Sequence, residues 1–196
     1  MALDFSTTAL LMLLAAYLLG SVSSAVLVCQ LLGLNDPRTQ GSNNPGATNV
    51  WRTGSHRAAV ITLLADLLKG ALPIWLALQV NLEASFVALC GLCAMLGHLY
   101  PIYFQFRGGK GVATYLGACL ALQPLLALGQ FSIWLLVAGT FRISSLASLV
   151  TALMTPLLCF WLAPAYLAIV SVMTLLLVLR HWSNISQLLQ GSEPRL

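Results

Sequence analysis

Apolar runs of membrane-crossing length follow one another from the first residues to about residue 179, and this pattern limits the fold more than any other feature. A helix crossing a bilayer needs about 20 apolar residues, within roughly 17–25. Candidate spans lie at about 5–34, 58–80, 84–104, 112–122, 125–139, 146–161 and 166–179. The reading is an all-α, polytopic integral membrane protein with seven transmembrane helices, forming a single domain over 1–196. Only 7% of residues are charged, against about a quarter in a soluble domain, so a separate soluble unit has no room. The segment 112–122 is short; it reads as a half-helix, a tilted span, or one arm of a re-entrant pair with the next segment. The N-terminus does not read as a cleaved signal, because Asp4 stands where positive charge belongs and the apolar run is too long.

Seven spans put alternate loops on one side. Arg38, Arg52, Arg57, Arg107, Lys110, Arg142, Arg180 and Arg195, eight of the nine Lys and Arg, fall on the side that also holds the C-terminus. Asp4 and Glu83 fall on the other. The positive-inside rule then makes the N-terminus periplasmic and the C-terminus cytoplasmic. Five spans would also separate the termini, so the rule does not set the count. The basic residues sit in short loops, and the net charge of +4 is no nucleic-acid footprint. Five cysteines scattered through spans make no disulfide framework, and Cys90 and Cys93 read as helix filler.

The polar chemistry gathers in four patches on the basic side. Gly41-Ser42-Asn43-Asn44-Pro45-Gly46-Ala47-Thr48-Asn49 is rich in small residues and amides, and Arg52 follows at what reads as a helix start favouring anions. The same composition suits a plain connector. Gly97-His98-Leu99-Tyr100-Pro101 leads into Phe106-Arg107-Gly108-Gly109-Lys110-Gly111-Val112-Ala113-Thr114. A lysine among three glycines joins a point charge to a backbone that can approach a ligand, which points to phosphate. It lacks the spacing and preceding strand of a Walker A loop. Arg142-Ile143-Ser144-Ser145 offers hydroxyls at a helix start, for a ligand or for capping. Arg180-His181-Trp182-Ser183-Asn184-Ile185 ends the last span, with His181 and Asn184 on one helical face; it reads equally as an interfacial anchor. Asp66 and Lys69, at i and i+3 inside a span, read as a structural pair, and His98 as a hydrogen-bonded structural residue. The cytoplasmic acids are Asp36 and Glu193 only. A donor-rich, acid-poor site suits anions, and no metal cluster is visible.

These five ordered motifs, with Asp66-Leu67-Leu68-Lys69-Gly70 among them, resemble the bacterial membrane glycerol-3-phosphate acyltransferases that use acyl phosphate, over nearly the whole length. Asn43 stands where the family usually has Gly, which should stiffen the first loop, Arg107 replaces a frequent Lys, and Pro45 occurs in some members. The resemblance implies a seven-helix enzyme of the bacterial inner membrane with a cytoplasmic active site and no cofactor. It would move a fatty acyl group from acyl phosphate to the sn-1 hydroxyl of glycerol 3-phosphate, giving lysophosphatidic acid and phosphate for phospholipid synthesis. Its partners would be the two substrates, membrane lipid and the enzyme supplying acyl phosphate. None of His56, His98 and His181 is followed five residues later by Asp, which disfavours the HxxxxD acyltransferases.

Within that frame the expected catalytic residues are Ser42, Arg52, Lys110, His181 and Asn184, and the expected substrate-binding residues are Thr48, Asn49, Gly108, Gly109, Gly111, Ser144 and Ser145. Ser42, Thr48, Lys110 and the 108–111 backbone would cradle the donor phosphate. Arg52, Ser144 and Ser145 would hold the phosphate of glycerol 3-phosphate, while His181 and Asn184 orient the hydroxyl or the carbonyl. The base would be His181 or, as suggested for the family, a phosphate oxygen of the donor. A phosphate transporter is the competing class, and a structural subunit of a larger complex a third. A transporter needs polar residues at mid-membrane, where this chain has only Asp66 and Lys69.

Overall fold

The computed structural model describes residues 5–196, which hold ten α-helices and no strand. They are α1 (Phe5–Gly20), α2 (Ser24–Leu31), α3 (Ala47–Arg52), α4 (His56–Gln79), α5 (Ala84–Leu99), α6 (Val112–Leu122), α7 (Pro124–Phe141), α8 (Ser144–Leu162), α9 (Leu167–Arg180) and α10 (Trp182–Leu189). Short 3₁₀ turns follow α5 and α8. Asp4, used above for orientation, lies outside the described residues.

Among these residues α4, α5 with its 3₁₀ turn, α7 and α8 are each long and apolar enough to cross a membrane. The bent pairs α1–α2, kinked by 45°, and α9–α10, kinked by 58°, bring the number to as many as six, where each pair counts as one broken span. The 11 residues of α6 cover only about 16 Å at 1.5 Å per residue, half the roughly 30 Å of hydrocarbon. The protein is therefore a multi-pass, all-α membrane protein whose fourth apolar segment is a half-length helix.

Breaks in spans leave backbone groups that must be paired internally. At the α1–α2 break the Val22 carbonyl accepts from Lys69 Nζ at 2.8 Å, and Ser21 Oγ donates to the Tyr17 carbonyl at 2.8 Å. Lys69 also lies 2.8 Å from Asp66 Oδ1, and both side chains are about 5% exposed. The expected structural pair thus forms, and His98 Nδ1 joins it 3.6 Å from the same oxygen. One buried cluster ties α4 to the α1–α2 break and to the end of α5.

Small residues let α4 and α6 touch backbone to backbone. A Cβ on Gly70 would meet the Thr114 carbonyl oxygen at 2.1 Å, and one on Gly117 the Leu67 carbonyl oxygen at 1.9 Å. Neither obstacle is a side chain that can rotate away. Gly117→Ala is expected to cost roughly 1–3 kcal/mol, as overpacking does, read as a lower unfolding temperature in detergent.

Candidate active site

A cavity of about 690 Å³ opens among α3, α4, α6, α7 and α8, beside the α9–α10 bend. Part of its wall is apolar, from Leu63, Leu64 and Leu67 of α4, Leu116 of α6, and Phe131 and Trp134 of α7, and the buried Asp66 and His98 also line it. Its other end is polar and holds Ser42, Thr48, Arg52, Lys110, Ser144, Ser145, His181 and Asn184. Residues from four separate stretches of chain thus share one chamber.

The first stretch is the loop before α3. Asn49 holds it in shape: its Oδ1 accepts from the Ser42 amide at 2.9 Å, and its Nδ2 donates to the carbonyls of Pro37 and Gln40. The Asn49 amide thus bonds within the loop, and Asn49, expected to bind substrate, also lines the cavity. Asn43 takes φ +56°, in the left-handed region that favours Gly and that Asn tolerates better than most residues. This accounts for the exchange of Gly for Asn at that position. Ser42 stands exposed at the cavity rim, and Thr48 Oγ1 lies 3.3 Å from Ser144 Oγ. The helix start expected at Arg52 is a helix end: Arg52 closes α3, and α4 begins at His56. Its Nη2 donates to the Pro194 carbonyl at 3.0 Å, while its Nε is buried without a partner.

Two glycines of the loop expected to cradle phosphate, Gly108 and Gly109, pack against the end of α5. Gly109 donates its amide to the His98 carbonyl at 3.1 Å, and a Cβ there would lie 2.2 Å from His98 Nε2. A Cβ on Gly108 would strike the same carbonyl oxygen at 2.1 Å. Both glycines are needed to press the loop onto the end of α5, and neither lines the cavity. Arg180 holds their carbonyls from the other side, with bonds of 3.1–3.2 Å. Gly111, at φ +86°, turns the chain into α6 and lines the chamber with Lys110. Sequence reading places an anion at these glycines because it sees their freedom, not the helix packed behind them.

Lys110 Nζ contacts Asn184 Oδ1 across the cavity. Burial holds its ammonium below the usual range; Glu193 pulls it back up, and Arg180 and Arg52 reinforce the lowering. Ser144 and Ser145 open α8 without capping it through their side chains, so their hydroxyls are free for other bonds. Ser148, one turn on, donates to the Ser144 carbonyl at 2.9 Å and accepts from Trp134 Nε1 at 3.2 Å. His181 sits in the break after α9, 2% exposed, with Nδ1 2.8 Å from the Leu177 carbonyl. A carbonyl only accepts, so Nδ1 carries the proton and Nε2 of the neutral ring is left as an acceptor.

Sequence reading counted Glu193 among the cytoplasmic acids and gave it no role, yet it folds back into the polar end, where its Oε1 accepts from Ser145 Oγ at 2.6 Å and from Asn184 Nδ2 at 2.8 Å. No local signal marks it, because the partners lie 48 and 9 residues away.

The chain matches a family model described as glycerol-3-phosphate acyltransferase over residues 10–191. It is 51% identical to the glycerol-3-phosphate acyltransferase of Thioalkalivibrio sulfidiphilus, covering 94% of this chain and 92% of that protein. It is 50% identical to the glycerol-3-phosphate acyltransferase of Vibrio cholerae serotype O1, covering 95% and 90%. Among solved structures it is similar to PlsY, an integral membrane glycerol 3-phosphate acyltransferase. The glycerol 3-phosphate form superposes with a TM-score of 0.91, at 37% identity and 96% coverage of both chains. The lysophosphatidic acid form superposes with a TM-score of 0.89, at 36% identity, covering 96% and 95%. Matches of this extent and identity, on a chamber that joins cationic side chains to an apolar wall, establish that the chain belongs to the glycerol-3-phosphate acyltransferase family.

Proposed function

We propose that this protein transfers a fatty acyl group from acyl phosphate to the sn-1 hydroxyl of glycerol 3-phosphate, releasing lysophosphatidic acid and phosphate. The observation that carries this reading is the continuity of one cavity. Its cationic, hydroxyl-lined end suits two phosphorylated reactants, and its apolar end suits a fatty chain. An acyl phosphate is a reactive mixed anhydride, so holding the reactants in line supplies much of the acceleration. Lys110 and Arg52 face the negative charge, and Thr48 and Ser144 offer hydroxyls beside it. His181 Nε2 accepts from the second hydroxyl of glycerol 3-phosphate and so orients the acceptor, while the attacking hydroxyl passes its proton to a phosphate oxygen of the donor.

The membrane reading follows the same geometry. The loops before α3 and α6, the α7–α8 junction and the α9–α10 bend meet at one chamber, and they carry most of the loop cations. That supports seven crossings in the bacterial inner membrane, a periplasmic N-terminus, and a cytoplasmic site.

Purified protein given labelled glycerol 3-phosphate and palmitoyl phosphate should yield labelled lipid. Uptake into vesicles without lipid product would make it a transporter instead. His181→Ala is expected to lower kcat by about 10-fold, the worth of one hydrogen bond, with the shape of the pH profile between 6 and 8 unchanged. A ring that only orients a hydroxyl through Nε2 supplies no limb of its own in that window. Loss of a limb together with a drop beyond about 10²-fold would instead assign His181 as the general base.

A further inference from the structure

A carboxylate has no evident place in an anion site, yet Glu193 is built into this one. Segment 192–196 is pinned at three points. Arg52 Nη2 holds the Pro194 carbonyl, the Leu196 amide donates to the Arg142 carbonyl at 2.6 Å, and Glu193 Oε1 receives Ser145 and Asn184. Both donors are 7% exposed. Glu193 Oε2 is buried with no hydrogen-bond partner.

Hydrogen-bond inventory then sets directions. An ionised carboxylate only accepts, so it must receive the Asn184 NH₂, which turns the Asn184 carbonyl toward Lys110. A hydroxyl has one proton, and that of Ser145 goes to Glu193, so the Ser145 oxygen faces the cavity as an acceptor. An acceptor next to a negative charge repels phosphate and suits a hydroxyl group of a polyol.

We propose that Glu193 is a positioning residue for acyl transfer: it fixes the facing of Asn184 and Ser145, so that Asn184 steadies Lys110 and Ser145 receives a hydroxyl of the acceptor substrate. The inference rests on the reaction proposed above and changes one part of it. Ser145 serves the glycerol hydroxyls, and the phosphate lies nearer Arg52 and Lys110.

Glu193→Gln removes the charge and keeps the shape. The test is its kcat/KM for glycerol 3-phosphate, alone and combined with Ser145→Ala, alongside amine labelling of Lys110 against pH, read by mass spectrometry in detergent. Lys110 faces Glu193 on the 192–196 segment, Asn184 on α10, Arg180 ending α9, Arg52 ending α3, and His181 in the bend. Glu193 is the negative member, so its removal should move the labelling midpoint to lower pH. kcat/KM should fall by about 10–100-fold, as loss of charge-assisted hydrogen bonds does. The double variant should lose at least about 3-fold less than the product of the single losses. Glu193→Asp keeps the charge on a shorter arm, so turnover should fall with the midpoint near that of the wild type. An unmoved midpoint in Glu193→Gln, strictly multiplicative losses, or an equal midpoint shift in Glu193→Asp would overturn the proposal. If the wild type formed no lipid product but the midpoint still moved, the assigned reaction would fall and the Glu193–Asn184–Lys110 line would stand.

Discussion

Lys110→Met should lower kcat/KM for glycerol 3-phosphate by about 10²–10³-fold, the usual effect of removing one preorganised group that faces developing charge. The substitution keeps most of the aliphatic stem, so the packing of the loop changes little. What goes is a buried cation that leans across the chamber to Asn184. Its neighbours cannot replace it. Arg180 is engaged with the carbonyls of Gly108 and Gly109, and Arg52 with Pro194. Lys110→Arg should rescue poorly, because a planar fork does not fit where a compact ammonium is held. The checks are labelled lipid product in detergent micelles and the unfolding temperature. The latter should stay near wild type, since the glycines, not Lys110, fasten this loop to α5. Activity within 10-fold of the wild type would remove Lys110 from the chemistry.

The second large effect concerns stability. Lys69→Met should destabilise the protein by about 3–5 kcal/mol, because it leaves the Asp66 carboxylate buried without its ammonium. Two further losses accompany it. The Val22 carbonyl at the α1–α2 break loses its donor, and His98 is left alone facing Asp66 at 3.6 Å. Each charge in a span already costs roughly 2.5–3.5 kcal/mol on the insertion scale, so an unpaired one has little to offset it. Pairing Lys69→Met with Asp66→Asn should recover part of the loss, since the orphaned charge goes too. Thermal or denaturant unfolding in detergent reads both. A double variant less stable than Lys69→Met alone would show that the carboxylate has a partner other than Lys69.

The two clusters differ in how far they were visible beforehand. Asp66 and Lys69 are three residues apart on one helix, and that spacing alone brings them together. Lys110 and Asn184 are 74 residues apart, and Thr48 and Ser144 are 96 apart. For them the sequence offers only parity: if spans alternate, these loops share a side. The glycines show the limit most clearly. Gly108 and Gly109 advertise a backbone open to a ligand, but the neighbour they admit is the end of α5 with His98. Asn49 advertises a free amide, but three bonds within its own loop consume it.

Hydropathy over stretches of 15–30 residues determined that this chain is all-α and embedded in a membrane, because lipid selects helices by composition alone. The motif order told which family it resembles. The tertiary structure decided the rest: that α6 meets α4 backbone to backbone, that Arg52 ends a helix, and that Glu193 returns to the chamber. The reason is range. Burial in lipid is a property of each segment by itself, whereas the direction of a hydrogen bond depends on the partner that packing brings to it.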